Sequence, residues 1–102
     1  MLDRNALEHC KDTCRRCEEA CRTCAQECYG KEGMEECIHL CNVCAERCSE
    51  LQKLESYSEY IFNRCGDACH KCAEECEKHD DENCKRCAEL CRQCEEECYA
   101  LI

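Results

Sequence analysis

The side chains that could leave water recur along this chain in steps of three and four, and most of them are cysteines. The first run is Cys10, Cys14, Cys17, Cys21, Cys24 and Cys28, and the second is Cys37, Cys41, Cys44 and Cys48. The third is Cys65, Cys69, Cys72 and Cys76, and the fourth is Cys84, Cys87, Cys91, Cys94 and Cys98. Steps of this kind keep side chains on one stripe of an α-helix, turned toward a partner helix. The residues between are mostly Glu, Lys, Arg, Gln and Ala, which favour helix and suit a solvated outer face. Alanines flank the stripe at Ala20, Ala25, Ala45, Ala68, Ala73 and Ala88, leaving room for close helix approach.

Between the runs the pattern stops briefly. Tyr29-Gly30-Lys31-Glu32-Gly33 offers two glycines for a helix stop and turn. His79-Asp80-Asp81-Glu82-Asn83 offers capping side chains for the next helix. Between Leu54 and Ser58 the signal is weaker, and the turn is expected near Ser56. The pattern predicts helices over about 3–29, 34–55, 57–79 and 81–101. Short connections make neighbours antiparallel, so the expected fold is all-α, an antiparallel up-down-up-down four-helix bundle with a cysteine-lined core. Cys24-Ala-Gln-Glu-Cys28, Cys44-Ala-Glu-Arg-Cys48, Cys72-Ala-Glu-Glu-Cys76 and Cys87-Ala-Glu-Leu-Cys91 repeat one helical phrase four times.

Composition sharpens this picture. A chain of 102 residues has room for one domain, 1–102. Leu, Ile, Val and Phe are sparse and the net charge is −10, a combination that alone would describe a disordered chain. The 19 cysteines reverse that expectation, because a protonated Cys packs as a small apolar residue. Lysines and arginines are spread along the chain and form no patch, which argues against nucleic acid or an anionic membrane as partner. No apolar run approaches the roughly 20 residues of a membrane span. Asp3, Arg4 and Glu8 stand where a signal peptide would be apolar, so a cytoplasmic location is expected.

The two ends of such a bundle differ chemically. Continuing the stripes toward one end gives Leu7, Leu51, Phe62 (beside Ile61) and Leu101, an apolar plug with Tyr57 and Tyr60 nearby. The other end gathers Cys28, Cys37, Cys76 and Cys84, and the stripes continue to Met34 and His79. Thiol, thioether and imidazole are soft or borderline donors, suited to capturing a metal ion and passing it inward. His9, His39 and His70 fall off the stripes and are expected to be solvated.

Four chemistries could use this thiol array. As mere core residues the cysteines would be outperformed by Ala, Val or Leu, which carry no oxidation hazard. Structural disulfides fit poorly with an odd count, a reducing compartment and a nearly all-helical pattern. Redox catalysis would use one Cys-x-x-Cys beside a βαβ pattern; here such pairs recur along every helix, so no enzyme is expected. Metal binding remains. Iron–sulfur ligation would single out one compact group, and nothing does so. Four thiolates around Zn²⁺ leave a charge of −2 per site, costly several times over in a narrow core. Cu(I) carries one charge and is satisfied by two or three thiolates, so near one ion per thiolate the core approaches neutrality. The expected ligand is therefore Cu(I), as multiple ions. Zinc or general soft-metal buffering is the alternative.

The stretch from Tyr57 through Cys65, Cys69, Cys72, Cys76 and His79, followed by Cys84, Cys87, Cys91 and Cys94, resembles the cysteine-rich four-helix-bundle copper storage proteins of bacteria. The similarity extends over essentially the whole chain. It implies Cu(I) bound to thiols inside each bundle, a homo-tetramer of bundles, and metal entering at an end that carries His or Met. It also implies the cytosolic branch, which holds copper safely, and not the exported one.

Overall fold

Helix ends are where backbone groups lack partners, so they show why the elements start and stop where they do. In the computed structural model, which describes residues 4–102, helix α1 spans Arg4–Cys28, α2 Glu35–Gln52, α3 Glu59–Cys76 and α4 Glu82–Ala100. The α1–α2 turn places Gly30 and Gly33 at φ of 82° and 83°, the left-handed region that glycine enters without penalty. Asp81 caps α4, its carboxylate accepting from the Asn83 N–H at 2.8 Å and the Cys84 N–H at 3.3 Å. Ser58 caps α3 through the Ile61 N–H.

Each helix packs on two neighbours: α1 on α2 and α4, and α3 on α2 and α4. The result is a square rod of 46 × 18 × 18 Å. The flanking alanines Ala20, Ala25, Ala45, Ala68, Ala73 and Ala88 are all buried, as close approach requires. No helix among the described residues is long and apolar enough to cross a membrane.

The helices are shorter than the periodicity predicts, chiefly at the α2–α3 turn, where α2 ends at Gln52 and α3 begins at Glu59. Two side chains of α1 close this turn from outside. Lys11 Nζ donates to the Leu54 carbonyl at 2.7 Å, and Arg4 to the Glu55 carbonyl at 2.8 Å. Those carbonyls are thus satisfied without further helix.

The plug forms at the expected end. Leu7, Leu51 and Phe62 are completely buried, and Tyr57 meets Phe62 edge-on at 5.4 Å between ring centroids. Leu101 and Ile61 are only half-buried, and Tyr60 faces solvent, so the seal is made from three helices more than four.

Candidate metal centre

The helical stripes bring every cysteine to the bundle axis. All 19 are buried and none is in a disulfide. Their sulfurs touch across helices as well as along them. At the ligand-rich end Cys24, Cys28 and Cys84 form a triangle of 3.7 to 4.0 Å, and Cys37 joins it at 3.9 Å from both Cys24 and Cys84. Cys76 continues inward at 3.7 Å from Cys37, and then Cys41, Cys72, Cys87, Cys21 and Cys91 follow at spacings of 3.6 to 3.9 Å. Cys17, Cys44 and Cys69 lie beyond. Next to the plug, Cys14, Cys65, Cys94, Cys98, Cys10 and Cys48 continue the array, and Cys14 and Cys94 are 3.2 Å apart.

Among the described residues the only buried polar side chain is Thr13, and no Lys or Arg is buried with the sulfurs. Negative charge on this array therefore has no protein cation to balance it, and an unpaired buried charge is expensive. Protons or metal ions must do so. Burial accordingly pushes the Cys28 and Cys84 thiols up, Cys84 to about 12, even at the end where metal is expected to enter.

Groups of four sulfurs lie close enough to share ions. Cys24, Cys37, Cys41 and Cys76 form one, as do Cys14, Cys48, Cys65 and Cys94, with every sulfur within 4.8 Å of the others. A thiolate–metal bond of about 2.3 Å puts two sulfurs on opposite sides of an ion about 4.6 Å apart, so these groups can close on metal with small shifts.

The remaining candidates are placed unequally. Met34 is buried in the same cluster as the cysteines and is the N-cap residue of α2. His79 is half-buried just past the end of α3, its Nε2 2.9 Å from a Glu75 carboxylate oxygen. His9 and His39 are exposed, as expected. His70 is not simply solvated: its Nδ1 lies 2.8 Å from Glu95, and Arg92 joins the pair through Nη1 while gripping Glu77 with Nε and Nη2. That network ties α3 to α4 on the outside and does not reach the thiols. Sequence reasoning missed Thr13, which is sealed between α1 and α4 and donates to Glu97 at 2.9 Å.

Comparison with known proteins places this architecture. The family profile described as copper storage protein (Csp) matches residues 3–102. No curated protein matches the chain. Among solved structures, Streptomyces lividans Ccsp loaded with 10 copper equivalents superposes with a TM-score of 0.90 at 32% identity, covering 98% of this chain and 86% of that one. A cytosolic copper storage protein from the same organism, carrying five coppers, gives 0.89 at 32% identity over 97% and 93%. Apo Csp3 from Bacillus subtilis gives 0.86 at 32% identity over 92% and 96%. With its thiol-lined four-helix core and a profile match across nearly its whole length, the chain belongs to the copper storage protein family.

Proposed function

We propose that this chain stores Cu(I) in the cytoplasm, many ions at once, on the thiolates that line its axis. The observation that carries this is a column of 19 reduced, buried sulfurs with no buried cation beside them among the described residues. Each Cu(I) that replaces a thiol proton leaves the core's charge unchanged, so loading can continue along the column without accumulating charge. The cytoplasmic placing is supported by the cytosolic relative from Streptomyces lividans and by the need to keep these thiols reduced. The protein holds metal and converts no substrate. Nothing in the thiol column separates a single nucleophile from its neighbours or gives it a dedicated base.

In this reading all 19 cysteines are ligands, from Cys10 to Cys98, and Met34 and His79 hand copper inward past Cys28, Cys37, Cys76 and Cys84. By resemblance to its family, the bundle assembles as a tetramer, which sedimentation would reveal.

The four-sulfur groups also have the ligand number of a zinc site, so zinc buffering is the reading to test against. Anaerobic titration of the reduced protein with Cu(I) and Zn(II), each beside a competing chelator, separates the two. Storage of copper requires roughly one ion held per thiol. Saturation by about four or five zinc ions, with copper readily stripped, would favour zinc.

A further inference from the structure

We propose that the groove between α1 and α4 binds one small oxyanion, phosphate or carboxylate, held between Arg16 and Arg86.

A guanidinium presents its donors in a planar fork that matches such oxyanions two bonds at a time. Here Arg16, Glu19, Ala20 and Thr23 of α1 and Asn83 and Arg86 of α4 line a cavity of about 160 Å³. Pockets for drug-sized ligands run to about 300–1,000 Å³, so this one suits a small ion.

The polar groups of the groove lack partners. Among the described residues the side chains of Thr23, Asn83 and Arg86 make no hydrogen bond or ion pair. Arg16 is half-buried, and its Nε is sealed from solvent with no hydrogen-bond partner among those residues. Asp12 Oδ2 stands 3.4 Å from that Nε without bonding it. Nη2 of Arg16 donates to the Thr13 hydroxyl at 3.3 Å, an oxygen that itself donates to Glu97. A sealed N–H without a bond is costly, and more so on a charged group. Glu19, the carboxylate in the groove, is already taken by Arg15 at 3.1 Å. An anion therefore meets two guanidiniums and one carboxylate that is neutralised by its own ion pair.

The position gives the ion a role. Near the plug, α1 is tied to α4 by Thr13 and His9, both reaching Glu97. Near the mouth, Lys31 reaches Asp81 at 3.4 Å. Over the stretch between, from Arg16 to Thr23, no side chain outside the thiol column bridges the two helices among the described residues. Two like charges flank this gap and repel each other. An oxyanion bound to both replaces that repulsion with charge-assisted contacts and closes the seam.

The test titrates inorganic phosphate, and separately malonate, into the reduced metal-free protein at constant ionic strength set with chloride. The side-chain Nε–H signals of Arg16 and Arg86 and the amide signals of Asn83 should shift together in NMR spectra. They should follow one saturating curve in the millimolar range, the scale of a few charge-assisted hydrogen bonds. Saturation by phosphate alone identifies a tetrahedral oxyanion as the occupant, saturation by malonate alone a carboxylate, and either supports the site. Arg86→Gln, with its fold checked by circular dichroism, should weaken binding at least about tenfold, and the anion should no longer raise its melting temperature. Lys71→Gln removes one charge from an exposed, unpartnered position on α3 and should bind as the native chain does. Shifts that grow without saturating, shifts spread over all the basic side chains, or equal weakening in the two variants overturn the proposal. No residue of the groove belongs to the thiol column, so either result leaves copper storage standing.

Discussion

His79 Nε2 lies 2.9 Å from Glu75 Oε2, one helical turn back along the chain and just outside the ring of Cys28, Cys37, Cys76 and Cys84. The imidazole in turn holds the Glu75 carboxyl below its ordinary range, and Lys78 adds to the effect. The pair fixes the ring's orientation at the point where metal is expected to arrive, as a carboxylate does behind many ligating histidines. Removing that support by Glu75→Gln should slow copper uptake by about tenfold, the lower end of what such orienting partners contribute. His79→Ala should slow it further. Neither should change the number of ions held at saturation, because the thiols hold them. Stopped-flow mixing of reduced protein with a Cu(I)–chelator complex reads both quantities. Uptake at the unaltered rate in both variants would take His79 off the path.

Phe62 carries the second prediction. It is the largest fully buried side chain, and it closes the bundle where the thiols end. Truncating a buried Phe costs about 3–5 kcal/mol, against the roughly 5–15 kcal/mol of a whole domain. Phe62→Ala should therefore lower the melting temperature of the metal-free protein by at least about 12 °C at 4 °C per kcal/mol. Copper should restore it, since one ion bound at a thousand times its Kd adds about 4 kcal/mol. Calorimetry of the variant with and without Cu(I) checks this. If the loaded variant melts no higher than the metal-free one, the ions are not inside the fold.

Raised thiols make the metal-free protein sensitive to base. Burial places Cys84 at about 12 when folded, against 9.0 for the free side chain, and Cys28 is raised for the same reason. A group raised on folding contributes its stability fully below the unfolded value and loses it as pH climbs to the folded one. For Cys84 that window runs from about pH 9 to about pH 12. Denaturant midpoints of the metal-free protein should hold steady from about pH 7 to 8 and fall through this window. Copper-loaded protein, whose thiols no longer carry those protons, should fall less. Parallel curves for the two forms would contradict thiolate ligation.

How much of the molecule is legible from residues alone depends on what each residue needs to know of its surroundings. The cysteine stripes require only their own spacing, and all 19 lie inside. Asp81 and the two turn glycines carry their signal locally, and they sit as expected. The α2–α3 turn is longer than its local sequence suggests, because its carbonyls are satisfied by Arg4 and Lys11, far away in sequence. Thr13 and His70 look like ordinary surface positions along the chain. Their partners Glu97 and Glu95 are both on α4, and only the register of α4 against α1 and α3 reveals them.

The same register explains Gly66, a helical glycine that no turn requires. A Cβ there would lie 2.6 Å from Cε1 of Tyr99, whose hydroxyl donates to Asp67 across the α3–α4 groove. Two effects oppose each other on replacing it with alanine. The helix gains about 1 kcal/mol from the better helix former. Against that, the half-exposed ring must swing out, giving up its packing and its hydrogen bond, and overpacking of this kind costs about 1–3 kcal/mol. Gly66→Ala should thus be neutral to destabilising by about 2 kcal/mol in the native background. In Tyr99→Ala the obstruction is gone, and the same change should stabilise by about 0.5–1 kcal/mol. Urea denaturation of the four proteins closes the cycle and isolates the coupling between the two positions. A stabilising Gly66→Ala in both backgrounds would mean that the ring does not rest on this glycine in solution.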